Sequence, residues 1–326
     1  MSAAPAEPWR HPTTGDPRPL ALEPVACCVC GGVDAEPVAV GEDFEYRTSP
    51  DSFVMVRCPR CDVVYLDPRP AMEELPRIYP DTYHAFAFGA EGFGLVHTVR
   101  RRLEARRLLR ACRGLGTDAR ILDVGCGDGF HLDLLREYGR PGWHLAGVDL
   151  DERAVAAARE RGLDVRHGSV EDVTDGPYDL AFMIQTIEHV ADPAAVLAAT
   201  RALLAPGGRL VVVTDNTGSP DFRIAGRRHW GGFHFPRHFT LFNAASMRRL
   251  ADRSGFAVER LETIVSPVNW VYSIRNALDD WRAPRRVVDA FSLASPVPLA
   301  AFTLVDLLFT LVGRGALLRV VLRRPA

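Results

Sequence analysis

The stretch Ile121-Leu-Asp-Val-Gly-Cys-Gly-Asp-Gly129 reads as a buried strand that breaks into a glycine turn ahead of a helix. After a parallel strand, such a turn lets bare backbone approach a nucleotide-like ligand. Asp149, twenty positions beyond Gly129, closes the next strand-like run and stands where a carboxylate can hold a ribose diol. The dinucleotide form Gly-x-Gly-x-x-Gly would need glycine at position 130, which is Phe130. Asp123 also sets a carboxylate beside the turn, where a pyrophosphate would be repelled. A ligand with a cationic head and a ribose, but no phosphate, suits these residues, and S-adenosylmethionine meets that description.

With the segments that follow, the chain resembles the class I S-adenosylmethionine-dependent methyltransferases from about Arg107 to Arg324. His144-Leu-Ala-Gly-Val-Asp-Leu-Asp151 is similar to the second strand of that family, and Tyr178 to Pro193 to the fourth strand with its loop. Leu203-Leu-Ala-Pro-Gly-Gly-Arg-Leu-Val-Val-Val213 is similar to the helix end, turn and fifth strand. The resemblance implies an α/β fold: a doubly wound, seven-stranded, mostly parallel sheet, Rossmann-like, whose last strand runs antiparallel beside the sixth. Another doubly wound nucleotide-binding domain is the competing reading. Carried over position by position, backbone around Gly125, Cys126 and Gly127 approaches the methionine and ribose portions of the cofactor. Asp123 favours the ammonium side, Asp149 accepts from the ribose hydroxyls, and Leu150 lies against adenine. Ser169 and Val170 stand where the family grips adenine, with serine in a place usually held by aspartate. Gln185 borders the transferred methyl.

The 326 residues suffice for one large domain and a small one. Hydrophobic content of 47% and charged content of 25% are those of an ordinary globular chain. The formal charge of −2 gives no global attraction to nucleic acid. All 39 basic residues are arginine, so no lysine is present to act as base or Schiff-base former. Residues 1–24 hold six prolines and no apolar signal core, and read as a disordered leader on a cytoplasmic protein with reduced cysteines.

Two Cys-x-x-Cys knuckles, Cys27/Cys30 and Cys58/Cys61, have the spacing of a four-thiolate zinc ribbon, placed at residues 25–70. Four thiolates leave no open position, so this Zn2+ reads as structural, with Cys28 a bystander. Phe44-Glu-Tyr-Arg-Thr48 and Ser52 to Cys58, between the knuckles, look strand-like. Residues 71–106 read as a linker and helical lid. By resemblance to a bacterial group acting on sugars, polysaccharides and natural products, the tyrosine pair in Ile78 to His84 leads into the active site, and Tyr83 reaches the methionine end of the cofactor. The arginine-rich helix His97 to Arg113 has an apolar side for packing and otherwise reads as a solvated face.

The domain from 107 to 326 carries an insert at 266–315 between its last two strands. The end of this insert, residues 299–312, is a 14-residue apolar stretch holding Asp306, too short for a membrane span. Thr303, Asp306 and Thr310 fall on one helical side as a narrow polar stripe. This helix packs on the domain or a second subunit, or else lies at a membrane surface, where a lipid-linked substrate would be found.

Methyl transfer from a sulfonium is an in-line displacement, in which the enzyme aligns the nucleophile and removes a proton from an oxygen acceptor. The candidates are histidines: His189 in Ile-Glu-His-Val, and His234 and His238 in the insert Arg227 to Phe242. His238, in a Pro-Arg-His run like one covering the acceptor pocket in the bacterial group, is the first choice as base or orienter. Arg237 is placed to pair with an anionic acceptor. A catalytic metal on His229, His234 and His238 with Asp215 competes, but Gln185 sits where catechol-type enzymes have an aspartate. The leading function is methyl transfer to a small-molecule hydroxyl of a sugar, glycolipid or natural-product intermediate. The alternatives are an RNA base methyltransferase with a zinc-binding recognition module, and a cofactor-binding regulator. Against the RNA reading, Gln185-Thr-Ile-Glu188 replaces the Asn-Pro-Pro-Tyr type of motif.

Overall fold

The computed structural model describes residues 18–80, 83 and 90–326. Five short strands come first: β1 (Leu22–Glu23), β2 (Glu36–Gly41), β3 (Phe53–Arg57), β4 (Val64–Leu66) and β5 (Arg69–Pro70). β2, β3 and β4 form an antiparallel meander, while β1 pairs with β5. In β3, Phe53 and Met55 pack with Trp230, Phe233 and Phe235, whereas Val56 joins the core around Cys27, Cys58 and Cys61. The strand expected at Phe44 to Thr48 is instead a turn: Asp43 accepts from the backbone of Tyr46 and Thr48, which curls the chain out of extended geometry.

Residues 18–24 are no free leader. Leu20 is buried, its N–H donates to Asp51 at 2.8 Å, and β1 holds the chain to β5. The remainder of the expected leader, residues 1–17, lies outside the described residues.

After helices α1 (Leu75–Ile78) and α2 (Ala90–Ala111), strands and helices alternate. They are β6 (Arg120–Val124), α3 (Phe130–Tyr138), β7 (His144–Asp149), α4 (Glu152–Glu160), β8 (Val165–His167), β9 (Tyr178–Ile184), α5 (Pro193–Leu203) and β10 (Leu204–Asp215). Side-chain caps from Asp151 and Asp192 start α4 and α5, satisfying first-turn N–H groups. The chain continues through α6 (Pro220–Ala225), β11 (Thr240–Leu241), α7 (Ala244–Arg253), β12 (Ala257–Ile264), α8 (Val268–Asp280), α9 (Arg285–Asp289), α10 (Pro296–Leu311) and β13 (Leu317–Arg323).

The seven-stranded sheet has the order β12-β13-β10-β9-β6-β7-β8. β13 is antiparallel to both β10 and β12, and the other pairings are parallel. The fold is therefore the expected doubly wound, mostly parallel, Rossmann-like sheet. Strand order reverses between β6 and β9, and ligands in such sheets bind beyond the carboxyl ends at that reversal.

Two features reshape the expected organisation. β11, from the insert after β10, pairs antiparallel with β4 and completes the N-terminal sheet as β11-β4-β3-β2. The 25–70 segment is thus built into the larger domain. The residues 266–315 fold as α8, α9 and α10, and the polar stripe of α10 is not a surface feature. Asp306 is fully buried and accepts from the N–H groups of Ser266 and Ala316 and from Trp270 Nε1, tying both ends of the insert together. The outward face is apolar, with Leu304, Leu308 and Leu311 exposed. Among the described residues no helix is long and apolar enough to cross a membrane.

Candidate active site

The glycine turn joins β6 to α3 with Gly125, Gly127 and Gly129 all at positive φ, which a side chain would strain. A Cβ at Gly125 would come within 2.3 Å of Thr186, on the loop after β9. A Cβ at Gly127 would meet nothing within 4 Å, so that peptide faces open space. Asp149, at the end of β7, accepts from Gly127 N at 2.7 Å and from Asp151 N at 2.8 Å, bracing the turn from the neighbouring strand. Burial raises its pKa against those two hydrogen bonds. Asp123 is 1% exposed, and neither of its carboxylate oxygens has a hydrogen-bond partner among the described residues. His131 Nδ1 stands 3.6 Å away, beyond hydrogen-bond reach, and a buried carboxylate without hydrogen bonds is costly unless a cation or donor meets it. A cationic ligand head meets this requirement, and the open peptide at Gly127 leaves room for the rest. These residues fit S-adenosylmethionine. Cys126 contributes backbone, its thiol being buried against Gly147. Leu150 is 62% exposed at the end of β7, an apolar surface next to the turn. The Ser169 hydroxyl donates to Asp172, and Val170 is buried.

The expected histidines converge. The rings of His189 and His238 lie 4.5 Å apart, and that of His234 lies 5.0 Å from His238. Tyr79 Oη is 2.9 Å from His189 Nδ1, and the Tyr83 ring meets Tyr79 edge-on and packs tilted against Tyr46 and His234. His238 donates Nδ1–H to Gly232 O at 2.8 Å, with Asp215 Oδ2 at 3.4 Å. Burial, then the neighbouring His189 and His234, drive its pKa well below the usual histidine range, so the ring is neutral near pH 7. Gln185 holds a left-handed backbone (φ 52°) at the end of β9, and its N–H donates to Val213 O at 2.8 Å. The turn, Gln185 and the histidines therefore occupy the same carboxyl edge of the sheet.

Several roles differ from expectation. Arg237 is fully buried and paired with Asp43 at 2.8 Å, its remaining donors on the carbonyls of Ile78 and Phe235 and the Thr48 hydroxyl. It is a structural cation with no group left for an anionic acceptor. His229 does not join His234 and His238 as a ligand set, because its Nε2 lies 2.8 Å from Asp280 and its ring packs against Phe44 and Trp281. His234 faces Glu45 at 2.7 Å.

Glu188 and Asn269 escaped sequence reasoning. Glu188 is wholly buried; its Oε2 accepts from Thr214, and its carbonyl accepts from Phe239 and Thr240. Burial, then the Asp215 charge, raise its pKa, and burial raises that of Asp215 as well. Asn269, on α8, donates to Asp215 at 2.7 Å.

The four expected cysteines also converge. Cys27 and Cys61 sulfurs lie 3.3 Å apart, those of Cys30 and Cys58 3.5 Å, and all four within 4.8 Å. A tetrahedral zinc with bonds of about 2.3 Å needs sulfurs roughly 3.8 Å apart, so the set fits. Gly31 and Asp62 take positive φ, turning each knuckle back so that Cys27 N reaches Gly32 O and Cys58 N reaches Val63 O. Cys28 points instead to Thr240.

The methyltransferase-domain family model matches residues 95–261, just over half of the chain. A ubiquinone biosynthesis O-methyltransferase of Xylella fastidiosa is 39% identical over 116 residues, covering 33% of this chain and 46% of that protein. One of the same name from Ruegeria pomeroyi is 30% identical over 189 residues, covering 50% and 72%. The chain spans about half the length of the first curated relatives it matches. Among solved structures, an S-adenosylmethionine-dependent methyltransferase from Archaeoglobus fulgidus is similar at 18% identity, with a TM-score of 0.47 over 73% of this chain and 98% of that one. With the sheet order and the turn, the family match over residues 95–261 is decisive: the chain belongs to the class I S-adenosylmethionine-dependent methyltransferase domain family.

Proposed function

We propose that this protein transfers the methyl group of S-adenosylmethionine to a hydroxyl of a small molecule, a sugar, glycolipid or natural-product intermediate. The observation that carries the reading is the buried Asp123 carboxylate, which makes no hydrogen bond among the described residues and has His131 Nδ1 at 3.6 Å, on the strand that runs into the glycine turn with its open Gly127 peptide. The cofactor supplies an electrophilic methyl on a sulfonium. Asp123 faces its ammonium side, Asp149 its ribose, Leu150 with Ser169 and Val170 its adenine, and Gln185 and Tyr83 its methionine end. Oxygen as acceptor atom is supported by the histidine cluster and by the O-methyltransferase names of the relatives. His238, neutral and oriented by Gly232, acts as base or orienter, with His189 and His234 beside it.

Radiolabelled methyl from the cofactor should appear in a panel of sugar nucleotides and phenolic metabolites. His238→Ala should keep cofactor affinity within a few-fold yet lower turnover by about 100-fold or more, the range of a lost general base. Normal turnover would make His238 a packing residue.

The Cys27, Cys30, Cys58 and Cys61 set holds a structural Zn2+. Metal analysis should return one zinc per chain at the cysteines, lost in Cys58→Ser together with cooperative unfolding of the β2–β4 sheet. Unchanged zinc content in that variant would remove the assignment.

A further inference from the structure

Two imidazoles and a carboxylate inside the histidine cluster are arranged as ligands. His238 has Nδ1 on the Gly232 carbonyl at 2.8 Å; His189 Nδ1 lies 2.9 Å from Tyr79 Oη and 3.1 Å from the Arg237 carbonyl, which can only accept and so requires the proton on Nδ1. A neutral imidazole donating Nδ1–H to a carbonyl carries its lone pair on Nε2. The same outer contact fixes ring orientation and tautomer in metal-ligating histidines. Glu188 is 0% exposed; Thr214 orients its Oε2 at 2.8 Å, and its Oε1 has no hydrogen-bond partner among the described residues. One ligand atom from each of Glu188, His189 and His238 lies within 4.8 Å of the other two. A second buried carboxylate, Asp215, stands 3.4 Å from His238 Nδ1, adding negative charge around the trio. Burying two acids with an unmatched oxygen is unfavourable, and a cation is the natural remedy.

We propose that Glu188, His189 and His238 form a three-ligand site for a divalent transition-metal ion, with open positions for oxygens of the methyl acceptor. The donor set separates it from the cysteine cluster: two imidazole nitrogens and a carboxylate suit Mn2+, Fe2+ or Co2+, whereas four thiolates select zinc. The role of the ion rests on the methyl-transfer reading; its binding does not. An acceptor hydroxyl beside the ion becomes more acidic. Its proton passes to His234, which faces Glu45; the oxygen forms the new C–O bond as the C–S bond breaks, and sulfur keeps that electron pair. His238 then acts through the ion, as the orienter of the pair of roles given above. An acceptor with two adjacent oxygens, chelating the ion, is the substrate class such a site favours.

The test uses the full chain with its cysteine-bound zinc in place. Total metal content and a Mn2+ titration read by electron paramagnetic resonance should together account for one ion per chain beyond that zinc. Glu188→Gln, a neutral isostere that relieves buried charge, should weaken Mn2+ binding by at least about 100-fold while leaving zinc and cofactor affinity intact. Thr214→Val removes only the hydroxyl that orients Glu188 and should weaken it by about 10- to 100-fold. A native chain with no second ion, or equal binding by both variants, overturns the site. Cofactor affinity is measured by calorimetry on the same samples. Cofactor bound without a second ion would sink the metal alone; an ion bound without cofactor would support the metal and sink the methyl-transfer reading.

Discussion

Arg237→Met should lower the unfolding free energy by about 3–5 kcal/mol, the cost of removing one partner from a buried ion pair. The guanidinium is fully buried, pairs both nitrogens with Asp43 and caps the carbonyls of Ile78 and Phe235. Its removal strands a buried carboxylate and two carbonyls at the seam between the N-terminal sheet and the insert after β10. Burial opposes ionisation of Asp43, yet Arg237 overrides it and holds the carboxyl at about 2. Because that folded pKa is depressed below an unfolded value near 4, the stabilisation is complete above about pH 4 and is lost as pH falls toward 2. Urea midpoints at pH 7 and pH 3 should therefore differ more in the native chain than in Arg237→Met. Asp43→Asn combined with Arg237→Met should recover part of the loss, since no unpaired charge is left. A single variant within 1 kcal/mol of the native chain would show that solvent reaches the pair.

The segments legible in the sequence were those whose information is local. Ile121 to Gly129 announced a strand, a turn and a helix within nine residues, and Asp149 followed at the fixed offset of a neighbouring parallel strand. The cysteine knuckles were equally readable, because each ligand pair lies within one turn. What the sequence concealed depends on partners far apart. Arg237 looks like a substrate-binding cation until Asp43, 194 positions earlier, is seen to claim it. β11 is only two residues long and becomes a strand because β4 offers an edge, a tertiary cause with no periodic signature. Asn269 reaches Asp215 from the start of an insert of which only the end, residues 299–312, was legible as a helix. Glu188 was visible as a letter beside His189, but an acid in a loop is ordinarily solvated. Its meaning lies in complete burial beneath β10 and the insert, and a useful signal was its position between the apolar Ile187 and a histidine, four residues after the end of a buried strand.

Asp149→Ala should reduce S-adenosylmethionine affinity by at least about 100-fold, or about 2.7 kcal/mol, measured by calorimetry. Two contributions act together. Hydrogen bonds from ribose hydroxyls to an ionised carboxylate are each worth about 1.5–3 kcal/mol. The same carboxylate also fixes Gly127 N and Asp151 N, so its loss loosens the turn that faces the cofactor. The two can be separated. Asp149→Asn keeps an amide oxygen for one backbone N–H and should fall between the native chain and Asp149→Ala in affinity. Asp123→Asn leaves the turn braced and should weaken binding of the cofactor more than that of adenosine, which lacks the ammonium head. If Asp149→Ala bound cofactor as the native chain does while melting at lower temperature, the carboxylate would be a brace for the turn and nothing more. If adenosine and cofactor lost affinity equally in Asp123→Asn, the orphaned carboxylate would have to answer to something other than the ligand's charge, and His131, with Nδ1 3.6 Å from it, is the group that would then neutralise it.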